Sequence, residues 1–143
     1  MAKLEILSQK DIPEIMHLVI ELNKKDSFEL QQSRLERMFN YPSYNCFGWR
    51  ENGQLLAVSG TWITERIYSG KQLEIDHFVV NPQFRSQGIG KAFIQEIEKL
   101  AIKNDCLKME LNAYVNNSGA HKFYLNEGYR VLGFHFQKDL NKS

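Results

Sequence analysis

Cysteine is scarce in this chain. Cys46 and Cys106 stand alone and form no C-x-x-C pair, which fits reduced thiols and a cytoplasmic protein rather than a disulfide-held one. The four histidines, His17, His77, His121 and His135, show no metal-type spacing, and with no H-E-x-x-H no metal is expected. No charge of one sign prevails: 18 Lys and Arg against 17 Asp and Glu leave a formal net charge of +1. A dedicated nucleic-acid binder would usually show a strong basic excess, so no nucleic-acid partner is expected. No apolar run approaches membrane-spanning length and the N-terminus carries no apolar signal core, so no membrane partner is expected either. A G-x-S-x-G elbow for a serine nucleophile is missing too. Repeats, linkers and low-complexity segments are also lacking. What is present reads as one domain over residues 1–143, with 43% hydrophobic and 24% charged residues and enough length to bury a core.

The most informative stretch is Val80-Asn81-Pro82-Gln83-Phe84-Arg85-Ser86-Gln87-Gly88-Ile89-Gly90-Lys91. It joins an apolar strand-like run to an amphipathic helix-like run through a basic loop. Backbone N–H groups at a helix start lack intrahelical partners, and the helix dipole adds positive potential there. Glycines let such a backbone close around an anion, so the expected tenant is a phosphate or pyrophosphate. A Rossmann loop, G-x-G-x-x-G, fails because Phe93 stands at the third small position. A P-loop, G-x-x-x-x-G-K-[ST], fails because Ala92 follows Lys91 and Arg85 holds the leading position. A nucleotide-binding protein is therefore a weak rival.

What remains is R-x-x-G-x-G, which resembles the acetyl-coenzyme A loop of the GNAT N-acetyltransferase superfamily. A second motif of that superfamily, N-x-x-A-x-x-F-Y followed by G-[FY], has its counterpart in Asn117-Ser118-Gly119-Ala120-His121-Lys122-Phe123-Tyr124 and Gly128-Tyr129. The two occur in the right order, separated by one helix and one strand. The resemblance covers Leu73 to Leu140 closely and the first half only in element order. It implies an α/β protein of GNAT fold: a central mixed, mostly antiparallel sheet with a parallel strand pair at the cofactor cleft, flanked by about four helices. It also implies acetyl-coenzyme A as cosubstrate and an amine of a small molecule or peptide as acceptor. A homodimer is compatible with the pattern.

Element signals run along the chain in that order. Lys3 to Leu7 reads as a strand, Ser8 with Asp11 as a helix start, and Ile12, Ile15, Met16, Val19 and Leu22 as the apolar face of a helix to about Lys24. Ser27 caps a second helix, which Pro42 closes. Cys46 to Glu51 and Leu55 to Thr64 flank Asn52-Gly53, a type I′ hairpin signal. Gln72 to Val80 is a strand, a helix runs to about Lys103, and Leu107 to Tyr114 is a strand parallel to it through a right-handed crossover. Asn117 to Asn126 is a short helix and Tyr129 to Gln137 a last strand. The Gly88 loop and the Asn117 helix start both follow parallel strands, and ligands of such sheets bind at that rim. Tyr124 lies about two turns beyond Asn117, roughly 10 Å at ~1.5 Å per residue, a span that suits a pantetheine arm.

Arg85, Ser86, Gln87, Gly88, Ile89, Gly90 and Lys91 form the expected pyrophosphate cradle. The resemblance adds the backbone of Phe78, Val79 and Val80 against the pantetheine, and Asn117 as a cofactor contact that also suits a helix N-cap. Tyr124 is the best single catalytic candidate: a hydroxyl of high pKa can hydrogen-bond or protonate a departing thiolate at neutral pH. In the superfamily the matching position is the general acid. For the base, the resemblance favours Asp76, acting directly or through water, while Glu74 and His77 stay open. Strict alternation puts Glu74 and Asp76 on one face and His77 on the other, unless the bulge usual in the superfamily intervenes. The acceptor is expected against the first two helices and the Trp62 strand. Asp26 and Glu29 there either neutralise a cationic amine or merely start a solvated helix. The alternative from another class is a non-catalytic acyl-coenzyme A sensor of the same fold.

Overall fold

Asn52 and Gly53 both adopt positive φ, 51° and 77°, the requirement of a type I′ turn, and so join β2 (Tyr44–Glu51) to β3 (Gln54–Arg66). In this computed structural model, which describes residues 1–140, the hairpin is the centre of a five-stranded sheet of order β1-β2-β3-β4-β5. β1 (Lys3–Leu7) and β4 (Gly70–Val80) flank it antiparallel. β5 (Lys108–Leu111) pairs parallel with β4 from Gln72 to Ile75. The parallel pair is joined by α3 (Ile89–Lys103), as the strand–helix–strand pattern requires.

The helices bury opposite faces of the sheet. α1 (Ile12–Val19) and α2 (Phe28–Met38) cover one face through Ile15, Met16, Leu18 and Leu35, packed on Leu7, Tyr44, Cys46 and Val79. On the other face Phe93, Ile97 and Ala101 of α3 meet Phe47, Ala57, Leu73 and Ile75. Phe93 and Ile97 are fully buried, each worth about 1.5–3 kcal/mol relative to exposure. Local signals set the helix starts. The Asp11 carboxylate accepts from the Ser8 N–H at 2.8 Å, and the Ser27 hydroxyl accepts from the Leu30 N–H at 3.1 Å. The first helix is shorter than its apolar face suggests: after Val19 the chain tightens into a 3₁₀ turn, Ile20–Leu22.

The chain divides into two compact units, Met1–Leu111 and Asn112 onward. In the second, α4 (Ser118–Asn126) starts at Asn117, whose side chain accepts from the Ala120 N–H at 3.1 Å. It ends where Gly128 takes φ 93°. There the Gly128 N–H bonds to the Leu125 carbonyl and the Tyr129 N–H to the Tyr124 carbonyl, a Schellman closure. This explains the glycine of the Gly128-Tyr129 pair without any ligand.

Two expectations are corrected. The parallel strand ends at Leu111 rather than Tyr114. Residues 129–140 form no strand, and Val131, Leu132, Phe134 and Phe136 are exposed. β-formers become a strand only where a ladder receives them.

Candidate active site

β4 carries a bulge where it passes β3. The register runs Val58 to Val79 and then Gly60 to Asp76, so His77 and Phe78 together face Ser59. His77 sits at φ 31°, a left-handed conformation uncommon for any residue but glycine. Alternation would send Asp76 and His77 to opposite faces. The bulge instead brings both to the wall of one cavity of about 230 Å³ between α1, α2 and β4. Met16, Val19, Leu22, Leu35 and Met38 supply its apolar lining. Glu74, two residues earlier on β4, is not part of that wall.

The Asp76 carboxylate is held from two sides. Trp62 Nε1 donates to Oδ2 at 2.8 Å, and the His77 backbone N–H donates to Oδ1 at 2.8 Å. Trp62 is itself fixed by aromatic contact with Tyr44, at 4.9 Å between ring centroids, and with Tyr41, at 5.8 Å. Among the described residues no cation forms an ion pair with Asp76. Its charge is thus oriented but not neutralised.

His77 is built in as firmly. Its Nε2 lies 2.6 Å from the Tyr44 hydroxyl, and its Nδ1 is out of solvent with no hydrogen-bond partner. Burial holds the imidazole below its ordinary pKa, opposed by the nearby Asp76 charge. Gly60 makes room for the ring, since a Cβ there would overlap it. A lone glycine within a run of β-formers signals such close approach, and this is the sequence signal by which the His77 seat could have been found. Tyr44 carried no such signal.

The acids expected at the acceptor side behave differently. Asp26 accepts from Arg34 at 2.8 Å and from Asn23 at 2.9 Å, and these bonds hold its carboxyl below the usual range. Its charge is taken. Gln31 ties the same segment by donating to the Asn23 and Asp26 carbonyls at 2.8 and 3.0 Å.

The glycine loop takes the form its residues suggested. Asn81 caps a 3₁₀ turn, Pro82–Phe84, and Ser86 and Gly88 adopt φ 66° and 75°. Gly88 is the N-cap of α3 and has no side chain to satisfy the first-turn N–H groups. A Cβ at Gly88 would meet nothing within 4 Å, so the space above it is open to an anion. Arg85 and Lys91 are exposed beside it, as are Ser86 and Gln87. Ile89 and Gly90 open the helix. Along β4, the β5 ladder stops at Ile75 and does not extend beside Phe78, Val79 and Val80.

In the second unit, Tyr124 is half-buried on α4, with ring contacts to Phe123 at 5.0 Å and Tyr129 at 5.6 Å. Burial pushes its hydroxyl up to about 12, so it stays protonated at neutral pH. Cys46 is fully buried, which pushes its thiol up to about 12 and removes it as a nucleophile. Among the described residues no cluster of three or more His, Cys, Asp or Glu is arranged to hold a metal ion, and no helix is long and apolar enough to cross a membrane.

Comparison with known proteins agrees with this architecture. Residues 13–129 match the Acetyltransferase (GNAT) family. An uncharacterized N-acetyltransferase, YhdJ of Bacillus subtilis, is 26% identical over 135 residues, covering 94% of this chain and 95% of its own. An aminoalkylphosphonate N-acetyltransferase of Salmonella typhimurium is 37% identical over 90 residues, 62% of this chain and 58% of its own. The crystal structure of a possible acetyltransferase from Clostridium difficile superimposes with a TM-score of 0.86 at 13% identity, over 99% of each chain. The match spans both the glycine loop and the Asn117–Tyr124 segment, and the chain belongs to the GNAT acetyltransferase family.

Proposed function

We propose that this chain is a cytoplasmic, acetyl-coenzyme A-dependent N-acetyltransferase that acetylates a primary amine of a small molecule or peptide by direct attack. The observation that carries this reading is the Asp76 carboxylate, oriented by Trp62 and the His77 N–H, facing a cavity and, among the described residues, ion-paired with no cation. Support for the cosubstrate comes from the open cradle at Gly88, with Arg85 and Lys91 beside the α3 N-terminus. Those residues, with the Ser86-Gln87 backbone, would hold the pyrophosphate, and the backbone of Phe78, Val79 and Val80 would run along the pantetheine arm. The relatives carry N-acetyltransferase names, and the Salmonella one is named for a small amine.

Bound acetyl-coenzyme A supplies an acetyl thioester and leaves as the free thiol. The chain's own groups do the rest. Asp76 takes a proton from the acceptor ammonium, directly or through water, and so frees the lone pair that forms the C–N bond. The Tyr124 hydroxyl donates to the sulfur as the C–S bond breaks. Asn117 caps α4 and keeps its amide nitrogen for the cofactor. Incubation with acetyl-coenzyme A and a panel of primary amines, following free thiol, tests the reading. Thiol release that requires both protein and amine is the expected result. Binding of acetyl-coenzyme A with no release for any amine would leave a binding module instead.

A further inference from the structure

We infer that the acceptor is a small primary amine on an apolar, otherwise uncharged body, seated in the cavity between α1, α2 and β4. This rests on the reading of Asp76 as the group that receives the amine's proton. Size is the first constraint. The cavity holds about 230 Å³, below the ~300–1,000 Å³ of pockets for drug-sized ligands. An aminoglycoside or a folded peptide segment does not fit inside it.

Charge is the second constraint. One acid of the lining, Asp76, has only neutral donors, so the cavity is complementary to a single cation. The imidazole beside it is held neutral by burial and does not supply that cation. The other charged lining residue is Arg34, and its guanidinium is matched by Asp26 at 2.8 Å. An acceptor with an anionic end therefore finds no uncommitted cation in the lining. An acceptor with a second ammonium finds no second carboxylate in the lining and meets the Arg34 guanidinium there.

The third constraint is the wall between these groups. Met16, Val19, Leu22, Leu35 and Met38 offer no hydrogen-bonding groups beyond the weakly accepting methionine sulfurs, and the amides of Asn23 and Gln31, which also line the cavity, donate to Asp26 and to the Asn23 and Asp26 carbonyls. A charge placed against them would be desolvated without compensation, whereas methylene or aromatic carbon would gain burial.

The test compares hexylamine, cadaverine and δ-aminovalerate as acceptors for the full chain with saturating acetyl-coenzyme A. Hexylamine should show a kcat/KM at least about tenfold above either doubly charged compound, the scale of discrimination that an apolar pocket provides. In Arg34→Gln, which removes the cation from the lining, cadaverine should gain on hexylamine. Activity in which cadaverine or δ-aminovalerate equals or exceeds hexylamine in the wild type overturns the inference while leaving acetyl transfer intact. Silence with all three, and with the wider amine panel, overturns the acetyl-transfer reading and this one with it.

Discussion

The Tyr44 hydroxyl stands 2.6 Å from Nε2 of His77, joining β2 to the bulge of β4 across the intervening strand β3. Tyr44 is buried, and its own ionisation is pushed far above the usual tyrosine range by desolvation. The hydroxyl therefore stays neutral, able to donate to Nε2 or to accept from its N–H, and the two groups are hydrogen-bonded in either tautomer of His77. Gly60 lies beneath the ring, so one contact positions the residue whose backbone N–H orients Asp76.

Loss of that hydroxyl should be felt at a distance. Tyr44→Phe leaves Nε2 without its hydrogen-bond partner in a desolvated site, and stability should fall by about 1–3 kcal/mol. Chemical denaturation would measure the loss, and activity should fall beyond what the unfolded fraction explains. Full stability and full activity together would mean that the pair orients nothing.

A pH dependence of stability follows from His77. Burial holds its folded pKa below the unfolded value of about 6.5. As pH falls below the unfolded value, the unfolded state binds the proton first and the folded state is destabilised. Stability from this group is thus complete above about pH 6.5 and declines toward the folded pKa. His77→Asn, a residue tolerant of positive φ, should show a shallower dependence of stability on pH below about pH 6.5. Parallel curves for the two proteins would contradict the assignment.

Asp76→Asn keeps the shape of the side chain but leaves one acceptor oxygen for the two N–H donors, and it cannot take a proton. Turnover at neutral pH should drop by about 10²–10⁴-fold, with cofactor affinity nearly intact. Part of the rate should return at high pH, where free amine is abundant. Wild-type rates across the whole range would move the role to Glu74, His77 or solvent.

At Gly88 the open space and the backbone make opposite demands. No protein atom lies within 4 Å of a Cβ built there, so Gly88→Glu meets no clash and should fold, at a conformational cost of about 1–2 kcal/mol for the positive φ. Its carboxylate would occupy the anion cradle. Calorimetry should find acetyl-coenzyme A affinity lost, and unchanged affinity in the folded variant would reassign the loop.

Tyr124→Phe removes one hydroxyl and keeps the ring contacts to Phe123 and Tyr129. If the hydroxyl assists the departing thiolate, kcat should fall by about 10²-fold or more while apparent cofactor affinity holds. With chemistry rate-limiting, an unchanged kcat would take Tyr124 out of the mechanism.

What the residues determined by themselves is what lies within a few positions along the chain. The turn at Asn52-Gly53, the Ser27 cap, the left-handed Gly88 before α3 and the Gly128 closure of α4 are each local backbone chemistry, legible because partner and signal sit together. The glycine loop before α3 was legible for the same reason. The wall around Asp76 was not. Tyr44 with His77, Trp62 with Asp76 and Arg34 with Asp26 are pairings that strand register or helix docking creates, and no periodicity encodes which partner a side chain will meet. The bulge decided that Asp76 and His77 share a wall, which alternation denies. The tail beyond Tyr129 makes the same point in reverse: its β-formers promise a strand, but a strand exists only where another edge satisfies its backbone, and that is decided by tertiary structure alone.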